Sequence, residues 1–378
     1  MQNRIDITRP DAPDLAAFGT HAVGVTTKVM VHKGQVDVLA ASAQVQPRYD
    51  RALTVEYWYP AAAGTAAGGQ YDTVMRDGHR KVVLHGRAAR EAAPGDDSGP
   101  LVIISHGFPG NRMLMAHFAE HLASHGYRVA AIDHRDSTYD DPAYLGGQSF
   151  GSTLVNRPLD TAFVAAELGG DYAIIGYSMG GYGALIAAGA GVAAQAVTGE
   201  GAPPAGLLGV HSAPVVPARL KAVIPIGPWG RHRGFWTAEG LAGMQRPCLI
   251  MAGSADDVSD YEGGMRRIFA ESGSATWLLT FDGAGHNAAA PIAAPQEAWE
   301  PSDHLAWPPF SHYGDAVWDN LRMNNIAQHF ALGFLDWHLR GQIDRAAFFG
   351  HGWPGFAEGK APGLRLESNP LAAAAAAG

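Results

Sequence analysis

A serine set between two glycines, Gly176-Tyr177-Ser178-Met179-Gly180, is the feature of this sequence best suited to chemistry. The pattern Gly-x-Ser-x-Gly fits a turn so tight that larger flanking residues would clash, and such a turn leaves the serine hydroxyl exposed as a nucleophile. A hydroxyl is weak until an adjacent base takes its proton, so a histidine and an acid to orient it are required. After such an elbow the acid and the histidine come later in the chain, in that order. His286 stands in Asp282-Gly283-Ala284-Gly285-His286-Asn287, where small residues let a loop swing an imidazole over the serine; position, not type, selects it among seventeen histidines. Two acids compete for the third role, Asp256 and Asp257, both just past the apolar run Pro247–Ala252. Asp257 also reads as a loop residue before a helix, with Ser259 and Glu262 as a Ser-x-x-Glu capping box. Acyl transfer also needs two N–H donors for the developing oxyanion. Met179, directly after the serine, supplies one, and Ser105-His106-Gly107-Phe108-Pro109-Gly110 the other, although Pro109 has no N–H.

These residues need a frame. Short apolar runs at Leu101–Ile104, Arg128–Ile132, Ala173–Ile175, Leu220–Ile226, Cys248–Met251 and Thr276–Phe281 alternate with helical patterns near 111–125, 157–168, 179–190 and 261–272. That rhythm predicts βαβ units and a parallel sheet with helices on both faces. Two earlier strands, Ala22–Val31 and Leu53–Tyr59, precede it, with loops at 61–70 and 91–100. A C-terminal helix over 316–340 places Met323, Ile326, Ala327, Phe330, Phe334 and Trp337 on one face. The expected organisation is an arm over 1–20, one α/β domain over 21–345 and a tail over 346–378 that ends unstructured at Ala372–Ala377. Two Pro-rich excursions interrupt the domain, 195–218 and 288–315. The second begins two residues after His286, and its Trp299, Trp307 and Phe310, together with Tyr177, are expected to wall a substrate pocket.

The chain has 378 residues, 47 % hydrophobic and 17 % charged, enough to bury a large core. A net charge of −9 argues against nucleic acid or an anionic membrane surface as a partner. One cysteine, Cys248, excludes an intrachain disulfide and reads as a small core residue. No apolar run approaches a membrane span. The polar start, Met1–Arg9, carries no apolar leader, so a cytoplasmic setting is expected. No dinucleotide fingerprint or phosphate loop occurs, and no cofactor is expected.

Taken together these motifs resemble the α/β-hydrolase fold over roughly residues 20–340. More closely, the chain resembles predicted dienelactone hydrolases and platelet-activating-factor acetylhydrolase-like serine esterases. Glu56-Tyr57-Trp58-Tyr59-Pro60, Ser105-His106-Gly107-Phe108, Asp133-His134-Arg135-Asp136-Ser137 and Arg157-Pro158-x-Asp160 are similar to segments of those families. The resemblance implies a Ser-Asp-His serine esterase acting on a small-molecule or polymeric ester. It also favours Asp256, three residues after Gly253, as the acid and Phe108 as the second oxyanion donor. True dienelactone hydrolases use cysteine where Ser178 stands, which argues against a lactone substrate. Ser178-Met179-Gly180-Gly181 is also similar to polyester-cleaving cutinases and to cofactor-free haloperoxidases, which leaves acyl transfer to water or to peroxide open.

Two readings from other classes compete. His117-Phe118-Ala119-Glu120-His121 matches the His-x-x-Glu-His pattern of zinc proteases. At about 100° per residue, however, His117 and His121 fall on the side of the helix away from Met115, Phe118, Ala119 and Leu122, and so are expected to face solvent. A non-catalytic binding protein is the other alternative, and the complete Ser, acid and His set argues against it. Asp133, His134 and Arg135 are expected to form an ion-paired structural loop, and His106 to pack as a structural histidine.

Overall fold

The computed structural model describes residues 2–96, 98–350 and 352–377. Its strands are β1 (Asn3–Arg4), β2 (Val23–Val36), β3 (Arg48–Pro60), β4 (Gly69–Val74), β5 (Lys81–Gly86), β6 (Ala89–Arg90), β7 (Leu101–Ser105), β8 (Arg128–Asp133), β9 (Tyr172–Tyr177), β10 (Leu220–Ile226), β11 (Cys248–Gly253), β12 (Thr276–Phe281) and β13 (Leu364–Ser368). The helices are α1 (Ala116–Ser124), α2 (Pro142–Leu145), α3 (Phe150–Leu168), α4 (Met179–Ala187), α5 (Ala194–Thr198), α6 (Ala238–Ala242), α7 (Arg266–Glu271), α8 (Asn320–Arg340) and α9 (Pro370–Ala377).

Ten strands form the central sheet in the order β13-β12-β11-β10-β9-β7-β8-β3-β2-β6. From β12 to β8 every pairing is parallel, while β3, β2 and β13 join antiparallel. Alternation along a strand sends neighbours to opposite faces. In β7, Val102 and Ile104 therefore pack toward α1 and α8, and Leu101 and Ile103 toward α3 and α4. Both faces are covered, so the parallel strands are apolar on both sides. Each fully buried Ile or Val contributes about 1.5–3 kcal/mol relative to exposure. The chain runs from β7 outward to β8, then returns past β7 to β9. That reversal opens a crevice at the C-terminal ends of the strands, where ligands of open α/β sheets bind.

Four expectations are corrected. Helix α3 begins at Phe150, not near 157, and carries Pro158 inside it. Proline removes the N–H that would bond the Leu154 carbonyl, and the Tyr182 hydroxyl donates to that carbonyl instead (3.2 Å). The Ser259–Glu262 capping box is absent: Asp260 caps the turn by accepting the Gly263 N–H (2.9 Å), and Ser259 is drawn elsewhere. The tail end expected to lack structure, Ala372–Ala377, lies in α9, whose Ala372 is buried, and the tail before it carries β13, an edge strand on β12. The arm over 1–20 is docked, with β1 pairing β5 in a small sheet, β1-β5-β4, and the turn Asp14–Ala16 lying on α8.

This docking overturns the fourth expectation. His117 and His121 do not face solvent; they are 2 % and 0 % exposed. The helical-wheel angle was right, but the arm and the small sheet cover the face it assigned to water. His121 Nε2 lies 2.9 Å from the Leu15 carbonyl. Glu120 accepts from the Tyr71 hydroxyl and from the Arg87 and Ala88 amides. Burial pushes both histidines down to about 3, which keeps them neutral. Among the described residues no three His, Cys, Asp or Glu side chains form a metal-holding group. No described helix is long and apolar enough to cross a membrane.

Candidate active site

Ser178 follows β9 directly and caps α4 with φ 53° and ψ −109°, a conformation that costs energy for a residue with a side chain. The glycines make the turn possible. A Cβ on Gly176 would stand 2.2 Å from the Gly180 carbonyl oxygen, and one on Gly180 would stand 1.9 Å from that of Ser105. The elbow is fixed by Ser178 N–H to Ile226 O (2.9 Å) and by Trp229 N–H to Ser178 O (3.2 Å). The side chain lies at the floor of the crevice, and the residue is 8 % exposed.

His286 arrives from the loop after β12. Its Nε2 stands 3.1 Å from Ser178 Oγ and its Nδ1 stands 2.8 Å from Asp256 Oδ2. Asp256, just past β11, is buried, and its Oδ1 accepts the N–H groups of Val258 (2.9 Å) and Ser259 (2.8 Å). Asp257 is exposed. Of the two acids, Asp256 is therefore the one within hydrogen-bond reach of the imidazole. Gly227 closes the back of the pair: a Cβ there would meet His286 Nδ1 at 3.3 Å and Asp256 Oδ2 at 3.4 Å. The Ser259 hydroxyl donates to the Gly227 carbonyl (3.0 Å), which explains why it does not cap the helix.

The imidazole loop is anchored by residues that single motifs do not reveal. Asn287 donates to the carbonyls of Ser311 and Gly314 (2.8 Å each) and accepts from the Tyr177 hydroxyl (3.0 Å). Asp315 accepts the Gly285 N–H (2.7 Å). The far end of the 288–315 excursion thus returns to the site and clamps the loop that carries His286. The Tyr177 ring lies beside His286 (5.1 Å between centroids), and burial, with Asp256 close by, raises its hydroxyl pKa.

Phe108 and Met179 flank the serine from the ends of β7 and β9. Among the described residues neither N–H has an acceptor in the protein. Phe108 also begins a run of edge-to-face rings: Tyr144 and Phe150 each lie 5.3 Å from it, and Trp229 lies 5.3 Å from Phe150. Of the expected wall residues, Trp307 lies against the Arg76 guanidinium (5.2 Å), which also lies over the Tyr144 ring (5.6 Å). Trp299 is 66 % exposed and pairs with Phe310 (3.9 Å), and the ring beside His286 is that of Tyr177 rather than either of these.

Under this floor lies a buried polar layer. His134 bridges Ser105 Oγ (2.9 Å) and Asp160 (3.0 Å). Arg51 holds Asp160 through two bonds (2.7 and 3.0 Å) and Asp136 through a third (2.7 Å). Burial disfavours the Asp160 charge, but Arg51 and His134 outweigh it and hold that carboxyl down to about 2. Asp133 pairs with Arg112, and Arg135 lies over Tyr49. This layer makes no side-chain hydrogen bond to Ser178, Asp256 or His286 among the described residues. A separate cavity of about 770 Å³, lined by Asp72, Lys81, Arg112, Asp133 and Thr138, borders none of Ser178, Asp256 and His286.

Comparison with known proteins agrees with this architecture. The family described as alpha/beta hydrolase fold matches residues 100–202, the segment from β7 past the elbow. A search of curated proteins finds no sequence match. Among solved structures, a ferulic acid esterase from Streptomyces cinnamoneus superposes with a TM-score of 0.67 at 19 % identity, covering 97 % of this chain and 99 % of the other. The chain has the α/β-hydrolase fold, with its candidate site at the strand ends where that fold presents a nucleophile.

Proposed function

We propose that this protein is a serine esterase that hydrolyses carboxylic esters through an acyl-enzyme. The observation that carries this reading is the unbroken hydrogen-bond line from Ser178 Oγ through His286 to Asp256, beside two N–H groups without acceptors among the described residues. In the first step His286 Nε2 takes the Ser178 proton as Oγ attacks the ester carbonyl. Asp256 holds the imidazole in the tautomer that presents a lone pair to the serine, then stabilises the imidazolium. The Phe108 and Met179 N–H groups receive the negative oxygen. The alcohol leaves with the proton from His286. Water, deprotonated by the same imidazole, attacks the acyl-enzyme and frees the acid.

The run of rings from Phe108 to Tyr144 and through Phe150 to Trp229 starts at the proposed oxyanion donor and supports an ester with an aromatic or extended apolar part. The structural neighbour is named for an ester of an aromatic acid, which supports the same choice. The test is a panel of p-nitrophenyl esters of graded acyl length, with methyl ferulate added, run with and without a phosphonate inhibitor. Phosphonate-sensitive turnover that is highest for aromatic or longer acyl groups is expected. Turnover of none of the esters, or turnover indifferent to phosphonate, would overturn the reading.

A further inference from the structure

Arg157, on α3, is 1 % exposed and forms no ion pair among the described residues. The acid one turn away, Asp160, is already occupied by Arg51 and His134. Arg157 Nε has no acceptor among the described residues. Burial, only partly offset by the charge of Asp160, pulls the guanidinium down to about 9. Such a charge is costly to enclose, so its contacts need an explanation beyond packing.

Those contacts are with the loop beside the nucleophile. Nη1 donates to the His106 carbonyl, and Nη2 donates to the Gly107 carbonyl (3.3 Å) and to Ser137 Oγ (2.8 Å). The Gly107 carbonyl has a second partner in His106 Nδ1 (2.7 Å). His106 Nε2 accepts the His134 N–H (3.2 Å), which assigns the imidazole proton to Nδ1 and makes that contact a donation as well. Two donors therefore grip one carbonyl from the buried side.

The Gly107–Phe108 peptide is trans; the cis bond in this loop is the next one, Phe108–Pro109. In a trans peptide the N–H points opposite to the C=O. With the carbonyl of Gly107 held inward, the N–H of Phe108 turns outward. Gly107 itself lies against the nucleophile, since a Cβ there would stand 3.5 Å from Ser178 Cβ. The outward N–H has no acceptor among the described residues.

We propose that Arg157 is a positioning residue for the oxyanion pocket, one that grips the Gly107 carbonyl together with His106 and so aims the Phe108 N–H at the oxygen of the tetrahedral intermediate. The inference rests on the reading of Ser178 as nucleophile and of Phe108 and Met179 as donors. A charged donor on the carbonyl also polarises the peptide and strengthens its N–H as a donor. Because the oxyanion forms only in the transition state, the contribution falls on kcat rather than on substrate binding.

The test uses Arg157→Met, Arg157→Lys and Ser137→Ala, each counted by active-site titration so that kcat is expressed per competent site. Loss of a whole oxyanion donor costs about 10²–10³ in kcat, so a misaimed donor should cost about 10–100-fold in Arg157→Met. KM should stay close to that of the parent. Arg157→Lys, which keeps the charge but not the fork, should recover part of the loss. An alkylboronic acid, whose serine adduct places an oxygen in the same pocket, should bind more weakly in proportion to the fall in kcat/KM. If Arg157→Met does not fold, Ser137→Ala decides: it removes one of the two Nη2 partners, loosening the guanidinium on the Gly107 carbonyl, and should lower kcat and boronate affinity together, by a smaller factor. An unchanged kcat per site, a rise in KM alone, or a fall in kcat with unchanged boronate affinity would overturn the proposal. Those results with Ser178→Ala inactive would leave the esterase reading standing, whereas an active Ser178→Ala would remove both.

Discussion

Asp256→Asn is expected to lower kcat by about 10⁴ while the protein stays folded. The size of the effect follows from how the carboxylate is held. Oδ1 accepts two backbone N–H groups, from Val258 and Ser259, and Oδ2 faces His286 Nδ1 at 2.8 Å. An asparagine keeps its amide oxygen on the two N–H groups, which turns its NH₂ toward Nδ1. The reverse placement would set NH₂ against two donors and forfeit two hydrogen bonds of about 1 kcal/mol each. The imidazole must then accept at Nδ1 and carry its proton on Nε2, the nitrogen 3.1 Å from Ser178 Oγ. In that tautomer it has no lone pair for the serine proton. A 10⁴ loss corresponds to about 5.4 kcal/mol of activation free energy, far above the worth of one surface contact. Asp257 is exposed, so Asp257→Asn should change stability by no more than about 0.5 kcal/mol and leave kcat near the parent value. The assay is steady-state hydrolysis of the best ester in the panel, with circular dichroism to confirm folding. A folded Asp256→Asn protein within tenfold of the parent, or a larger loss in Asp257→Asn, would refute the argument.

Trp307→Ala should alter kcat/KM unequally across esters of graded length, with discrimination shifting by about 1–3 kcal/mol, because Trp307 shares Arg76 with Tyr144 at the site's aromatic lip; equal effects on every ester would return it to a structural role. His117, His121 and His329 are buried and pushed down to about 3 in the fold, so between pH 6.5 and about 3 the unfolded chain binds more protons than the native one. Stability should thus be full above pH 6.5 and fall on acidification by roughly 1.4 kcal/mol per pH unit for each such histidine, and denaturant titrations from pH 7 to pH 4 should show a shallower fall in His117→Leu. Tyr182→Phe should cost about 1–2 kcal/mol by leaving the Leu154 carbonyl above Pro158 unpaired, measured as a lower urea midpoint; an unchanged midpoint would mean water takes the hydroxyl's place.

The parts of this molecule that were legible in the sequence are those set by neighbours in the chain. A buried strand, a glycine-flanked turn and a small-residue helix are contiguous around Ser178, so local pattern predicts the elbow. The alternating βα rhythm from Leu101 onward predicts the parallel sheet for the same reason. What escaped depends on distant segments. The face of α1 that carries His117 and His121 is covered by Leu15 and by the strands around Arg87, roughly 100 and 30 residues away along the chain, and a helical wheel holds no information about such a cover. Pro158 marks a helix start by local rules, yet Tyr182 from another helix repairs the missing bond and lets α3 begin earlier. Leu364–Ser368 is too short and too exposed to announce itself as a strand before β12 offers it an edge. Asn287 and Asp315 gain their anchoring roles only because the 288–315 excursion loops back, and Arg157 gains its contacts only because α3 packs beneath the β7 loop.

The most direct test of the account is covalent. Purified protein treated with a fluorophosphonate should gain one adduct by intact mass, the adduct should map to the peptide containing Ser178, and ester hydrolysis should fall in proportion to labelling. Ser178→Ala should neither label nor hydrolyse beyond a residue of about one part in 10⁴–10⁶ of the parent rate. Labelling at a different serine, or near-parent turnover by a folded Ser178→Ala protein, would contradict the assignment of Ser178 as the nucleophile.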